Sequence, residues 1–261
     1  MTELATYQYV LIALIFVWSG FVRSGLGFGG AALALPFLLL VHPEPVLFLP
    51  LLAIHLLIFS VWITHGRHLL ARWRGTATAR SRHQIDWRFL GYALLIMAIP
   101  KLIGIIGLLT LPGETVSLVI CAIIAVYAVG YVTNKPFVSR HWSTDISFLA
   151  IGGYASGMSL IGAPLIAAVF ASHVSRAALR DTLFVTWFVV TGAKVIALIL
   201  AGVDMQWIHH LWLLPCVTLG HLVGMRVHDW LQTGDPTQFN RVLGSALLLV
   251  SVIGVGNILR A

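Results

Sequence analysis

Charge is scarce in this chain. Only 10% of its 261 residues are Asp, Glu, Lys or Arg, against roughly 25% in an average soluble protein. Carboxylates are scarcest, with nine Asp and Glu against sixteen Lys and Arg. The sequence has no paired catalytic carboxylates, no His-Glu-x-x-His zinc motif and no phosphate-binding loop of the Gly-x-x-x-x-Gly-Lys-Ser/Thr type. These gaps argue against an enzyme and against ATP-driven pumping within this chain, and no metal or other cofactor is expected. Cysteine is rarer still. Cys121 and Cys216 sit in separate apolar stretches, which reads as two small buried hydrophobes and not as a disulfide or metal pair.

Apolar sequence fills the space. Hydrophobic residues make up 59% of the chain and the mean hydropathy is +0.95. Several runs reach the roughly 20 residues that cross a bilayer: Val46 to His65, Phe89 to Thr110, Val116 to Thr133, Ala177 to Ala201, Trp207 to Val227 and Gln238 to Asn257. The longest polar stretch, Gly66 to Asp86, leaves no room for a separate soluble domain. The start carries Glu3 and neither Lys nor Arg, unlike the basic opening of a cleavable signal peptide. Trp62, Trp87, Trp207 and Trp230 suit interfacial anchoring against membrane lipid.

Two further apolar segments, Tyr7 to Val41 and Ile146 to Ala171, are interrupted by glycine. The first interruption reads Ser24-Gly-Leu-Gly-Phe-Gly-Gly30-Ala31 and the second Ser156-Gly-Met-Ser-Leu-Ile-Gly162-Ala163. Glycine unwinds a helix at a cost of about 1 kcal/mol per residue relative to alanine. Unwound backbone at membrane depth is tolerated only against protein or a water-filled cavity. Paired breaks in two halves of a chain point to the binding site of a carrier. A fresh helix start is expected at Gly30-Ala31 and again at Gly162-Ala163, each offering free N–H groups and the positive end of a dipole to an anion.

The formal net charge of +7 does not signal nucleic acid. Arg67, Arg72, Arg74, Arg80, Arg82 and Arg88 crowd onto or beside one loop, which the positive-inside rule places in the cytoplasm. Pro112 to Glu114 is without a base, Lys135 with Arg140 marks the next cytoplasmic loop, Asp204 marks an outer turn, and Arg226 to Arg241 is basic again. Counting back, Val46 starts outside, as does the N-terminus, if Tyr7 to Val41 enters and returns as a hairpin. The competing reading, one broken helix that crosses fully, would carry Arg176 and Arg180 outside. The expected fold is therefore an all-α polytopic membrane protein with two inverted repeats, 1–140 and 141–261. Each repeat would be a glycine-broken re-entrant helical hairpin followed by three transmembrane helices, with both termini periplasmic. Pro100-Lys-Leu-Ile-Gly104 echoes Gly220-His-Leu-Val-Gly224 across the halves. A homo-oligomer is compatible with this layout.

Ionisable side chains deep in a span are costly and mark function. Lys101 lies about a dozen residues into its span, and Lys194 lies ten residues, about 15 Å, from the turn at Asp204. Arg23 directly precedes the first break. Asp181, the one carboxylate that could enter a span, adjoins Arg180 near a cytoplasmic end. Buried cations without carboxylates call for an anion from outside the chain. The expected binding residues are Lys194, Lys101, Arg23, Ser24, Gly27, Gly29, Gly30, Ser156, Gly157, Ser159, Gly162, His55 and His221. The glycines would permit close approach and the hydroxyls would donate. His209, His210 and His228 fall at opposite membrane faces, against a shared metal site. No midplane carboxylate offers itself for proton or sodium coupling, so voltage-driven movement is the expected default, with His55 and His221 as the alternative proton carriers.

Together the two glycine-rich breaks, each followed by an apolar segment, Ile85-Asp86-Trp87 at the start of the third span and Lys194 late in the helix after the second break resemble the TauE/SafE anion permeases of bacterial membranes. The resemblance covers nearly the whole chain. Met158-Ser159-Leu160-Ile161, Lys101, Arg23 and the long loop after His65 depart from the usual pattern. The resemblance implies export of sulfite, sulfonates or related sulfur-containing anions across the inner membrane. An anion channel, or a proton-coupled permease for another small carboxylate or oxyanion, remains the alternative.

The loop charges predict sidedness directly. In intact cells, a membrane-impermeant thiol reagent should label a cysteine placed at Thr2 and leave one at Thr76 unmodified. The reverse order would overturn this topology.

Overall fold

Inside hydrocarbon a backbone must satisfy its own N–H and C=O groups, and an α-helix does so within one segment. The computed structural model describes residues 4–26, 30–73, 84–134, 137–231 and 236–258. Among the described residues it is all helical: α1 (Thr6–Leu26), α2 (Gly30–Val41), α3 (Pro45–Trp73), α4 (Trp87–Thr110), α5 (Gly113–Val132), α6 (Trp142–Ser159), α7 (Ala163–His173), α8 (Arg176–Leu200), α9 (Trp207–Leu231) and α10 (Pro236–Ile258). Six of these are long and apolar enough to cross a membrane, over Thr6–Ser24, Pro45–Trp62, Trp87–Thr110, Gly113–Val132, Arg176–Leu200 and Trp207–Arg226. The apolar part of α10, Gly244–Ile258, is shorter.

Helix boundaries follow local chemistry. Asp86 opens α4 as its N-cap, its side chain accepting from the Phe89 N–H at 2.9 Å. Helix α3 runs beyond the span expected to end at His65, because His68-Leu-Leu-Ala-Arg-Trp73 is composed largely of good helix formers. Both glycine breaks end one helix and begin another. Helix α2 starts at Gly30 and α7 at Ala163, where fresh helix starts are expected. Leu160, in the left-handed conformation at φ 63°, turns the chain out of α6.

Each broken segment doubles back on itself. The Ser19 hydroxyl donates to the Gly30 carbonyl (3.1 Å), and the Gln8 amide donates to the Val41 carbonyl (2.9 Å), so α2 returns antiparallel along α1. In the second segment His173 Nε2 meets Asp145 Oδ2 at 2.8 Å, and the Ser172 hydroxyl donates to the Ser139 carbonyl at 2.9 Å. Those contacts tie the end of α7 to the start of α6. Helix α1, at 21 residues and about 31 Å, is long enough to cross by itself and is longer than half a hairpin confined to mid-membrane would require.

Packing runs between the halves. Helix α1 lies along α9, α4 along α6, α3 against α8 and α5 against α10. The main apolar core joins Ile12 and Phe16 of α1 to Leu35 and Leu38 of α2 and to Phe48, Leu51 and Leu52 of α3. The outer surface is apolar too: Leu95, Ile99, Leu102, Ile103 and Ile106 of α4 are exposed, as are Ile208, Leu211 and Leu219 of α9. In water such a belt would be an aggregation hazard; in lipid it is the solvent-matched face. Trp62, Trp87 and Trp207 are exposed, Trp87 and Trp207 each at a helix start, in keeping with interfacial anchoring.

Several helix pairs approach closely enough to exclude a side chain, α4 with α6 and α1 with α9 among them. A methyl group at Gly157 would overlap the Lys101 carbonyl oxygen of α4, and one at Gly220 would overlap the Val17 carbonyl oxygen of α1. Gly91 and Gly192 face open space. Gly157→Val and Gly220→Val should each lower stability by about 1–3 kcal/mol through overpacking. Gly91→Ala and Gly192→Ala should raise it by about 0.5–1 kcal/mol through helix propensity. Thermal unfolding of the four purified variants in detergent checks this. Equal effects at all four sites would disprove the close-packing role.

Candidate functional site

Polar side chains gather where the glycine breaks meet the long helices. They form two groups. At the first break, Arg23 and Ser24 at the end of α1 meet His55 of α3 and His221 of α9. Arg23 Nη1 donates to the His55 carbonyl at 3.0 Å, and its guanidinium lies 5.4 Å from the centre of the Phe59 ring. The Ser24 hydroxyl is hydrogen-bonded with the Gly20 carbonyl and with His221 Nδ1. Phe59 also packs on the His221 ring, with centroids 5.3 Å apart. Gly30 closes the group from below: a side chain there would strike the Ser19 carbonyl and Arg23.

At the second break, Lys101 Nζ of α4 donates to the Ser156 hydroxyl of α6 at 2.9 Å. Lys194 of α8 is fully buried and lies close enough to Lys101 to interact electrostatically. Gly162 packs against the Gly152 carbonyl, which seats the start of α7 on α6. Helix α7 has no side-chain cap at its N-terminus, so its first N–H groups are left to backbone or solvent partners. Ser159 turns away, its hydroxyl donating to the Ala155 carbonyl within its own helix at 2.9 Å. Gly27 and Gly29 lie outside the described residues.

Electrostatics set these groups apart from ordinary packing. Arg23, Lys101 and Lys194 are all buried, at 6%, 5% and 0% exposure. Among the described residues the buried carboxylate is Asp145, and it is already engaged by Ser139 and His173 at the far end of α6. Of the six buried side-chain polar atoms without a hydrogen-bond partner among the described residues, three belong to these groups, Arg23 Nη2, Lys194 Nζ and His55 Nδ1; the others are Trp18 Nε1, Tyr127 Oη and Ser251 Oγ. A buried polar atom left unpaired costs about 1–3 kcal/mol, more for a charged one. Three such atoms lie in the groups beside the breaks.

His210 enters this arrangement although the sequence places it near a membrane face. Its Nδ1 stands 3.3 Å from His55 Nε2, and its Nε2 3.1 Å from the Met205 carbonyl. The signal was its spacing from His221. Eleven residues make just over three full helical turns, so both histidines share one face of α9, the helix that packs along α1. Cys121 and Cys216 are free thiols in separate helices. Among the described residues no cluster of three or more His, Cys, Asp or Glu could hold a metal.

A family model described as "Sulfite exporter TauE/SafE" matches residues 11–253, nearly the whole chain. No curated protein and no solved structure matches it.

Lys194 buries an amine without a hydrogen-bond partner, so methionine, similar in length and apolar, should relieve the cost. Lys194→Met should raise the unfolding midpoint of the ligand-free protein, by about 1–3 kcal/mol of stability. Lys101→Met should gain less, because it strands the Ser156 hydroxyl. Thermal unfolding in a buffer free of sulfur oxyanions measures both. A destabilised Lys194→Met protein would mean that the ammonium is already satisfied.

Proposed function

The chain belongs to the sulfite exporter TauE/SafE family, and from that premise we propose that it is a secondary transporter exporting a small sulfur-containing anion, sulfite or a short sulfonate, across the bacterial inner membrane. The anion binds at the two glycine breaks, held by Lys194, Lys101 and Ser156 on one side and by Arg23, Ser24 and His221 on the other. One observation carries this reading: Lys194 Nζ is buried and without a hydrogen-bond partner, in company with Lys101. An unpaired amine at that depth is costly, and an anion bound there would satisfy it.

The inverted-repeat architecture belongs to the same proposal, with 1–140 and 141–261 as the two copies. Its support is the packing pattern, whose most extensive helix pairs map onto one another when the halves are exchanged, although α2 against α10 has no such counterpart. The pair α1 with α9 becomes α6 with α4, and the pairs α3 with α8 and α5 with α10 are unchanged. The polar contacts exchange as well. Lys101 with Ser156 answers His221 with Ser24, at the positions where Pro100 to Gly104 echoes Gly220 to Gly224. In this architecture both hairpins are re-entrant, each entering and leaving on one face, both termini are periplasmic, and the helices around the breaks alternate access to the anion. Anion exit from a negative interior is electrically favoured by about 2.3 kcal/mol per charge per 100 mV.

Sulfite added to the purified protein should raise its unfolding temperature. Lys194→Met and Lys101→Met should each weaken binding by about 1–3 kcal/mol, the worth of a charge-assisted hydrogen bond. The loss should read as a smaller sulfite-induced shift, whatever each variant does to the ligand-free midpoint. An undiminished shift in both variants would remove the lysines from the site. Proteoliposomes that fail to move sulfite or methanesulfonate under any imposed gradient would overturn the transporter assignment.

A further inference from the structure

The buried pair His55 and His210 does something that anion binding alone does not require. We propose that His55 is the transporter's proton-binding residue, taking up a proton when an anion neutralises Arg23 and exchanging it through His210 with the turn at Met205. This rests on the anion-transport reading above.

The hydrogen-bond pattern assigns the tautomers. The Met205 carbonyl can only accept, so His210 Nε2 carries the hydrogen and donates to it (3.1 Å). His210 Nδ1 in the neutral ring is then an acceptor, and it must receive from His55 Nε2–H (3.3 Å). That leaves His55 Nδ1 as a bare lone pair, fully buried and with no hydrogen-bond partner. A structural histidine is ordinarily oriented at both nitrogens. This one is anchored at Nε2 and open at Nδ1. Protonating Nδ1 breaks no existing bond, and the two rings, with centroids 5.0 Å apart, are connected for relay. A proton arriving at His55 Nδ1 allows the Nε2 proton to pass to His210 Nδ1, and the Nε2 proton of His210 leaves beside Met205, next to the exposed Asp204. Each ring gains one proton and loses one, so the step balances.

The neighbours decide when His55 takes up that proton. Arg23 of α1 binds the His55 carbonyl and places a positive charge beside the ring. His210 comes from α9, which also carries His209 and His221, and the Phe16 ring packs edge-on. Helix α2 has no ionisable residue. Helix α8 contributes Lys194, with Arg176, Arg180 and Asp181 toward its start, and α5 brings Glu114, Cys121, Tyr127 and Tyr131. Among the described residues no carboxylate meets the His55 ring, so an imidazolium there would stand beside Arg23 uncompensated. An anion on the open Arg23 Nη2 removes that penalty. Anion and proton therefore bind cooperatively, by linkage, without any shape change.

Charge counting in proteoliposomes tests this, with sulfite and methanesulfonate as probes. Methanesulfonate carries a single negative charge throughout the working range. The wild-type protein should move it with one proton, so that efflux alkalinises a pyranine-loaded lumen and ignores an imposed potential. His55→Gln keeps the donor toward His210 and cannot be protonated. Its methanesulfonate flux should lose at least nine-tenths of the proton signal and become voltage-dependent. For sulfite dianion, the charge moved per sulfur should rise from one in the wild type to two in the variant. If His55→Gln does not fold, His210→Gln breaks the relay one ring further out and should show the same loss of proton movement. A charge ratio unaltered by these substitutions, for whichever anion is carried, overturns the proton role alone. Absence of wild-type flux for both anions overturns the transporter reading and this proposal with it.

Discussion

The cost of charge without water organises this molecule. Arg23, Lys101 and Lys194 lie inside an apolar helix assembly, and the carboxylate that is buried, Asp145, is spent elsewhere on Ser139 and His173. A charged group at membrane depth costs a few kcal/mol at least, so sequences retain it only where it has work to do. Two of the three cations are partly relieved by the protein. Arg23 reaches the His55 carbonyl and the Phe59 ring, and Lys101 reaches the Ser156 hydroxyl. These partners are dipoles and a ring face, which lower the cost of the charge and leave it in place. Lys194 has not even that.

Holding each cation against its partner requires backbones to touch, and here glycine matters more as absent volume than as a loose hinge. Gly157 lets α6 ride against the backbone carbonyl of Lys101, the residue whose side chain binds the neighbouring Ser156. Gly220 does the same for α9 on α1, one residue from His221 and its contact with Ser24. Van der Waals packing and small residues drive helix association in lipid, where hydrophobic burial between helices gains nothing. The close contact and the polar contact therefore occupy adjacent positions in each pair of helices. A bulkier residue at either glycine would separate the helices and stretch the hydrogen bond beside it.

Much of this could be read along the chain. Apolar runs of bilayer length located α3, α4, α5, α8, α9 and α10 to within a few residues at most ends, because only a helix can satisfy the backbone in lipid. Glycine clusters located the restarts at Gly30 and Ala163 for the same reason. What escaped is three-dimensional. Nothing local assigns Arg23 to the His55 carbonyl or divides the cations into a Ser24 group and a Ser156 group, since those contacts span 32 and 55 residues and more. For His210, nearness to a turn describes depth and ignores direction. Its eleven-residue spacing from His221 carried the direction. The length of α3 was missed because hydropathy marks where lipid ends, whereas helix propensity continues to Trp73.

A proton on His55 changes what the membrane potential can do. A lone monovalent anion leaving the cell gains about 2.3 kcal/mol per 100 mV, enough to sustain roughly a fifty-fold gradient. If a proton leaves with it, the pair is neutral and voltage has no hold; only the anion's own gradient, set against the proton's, moves it. Sulfite in its dianionic form behaves differently. With one proton on His55 it still carries a single net charge outward, so the potential continues to drive export. A site with an obligatory proton therefore separates its substrates by charge as well as shape. Such a site would expel dianions against a gradient and leave monoanions to their own gradient set against the proton's.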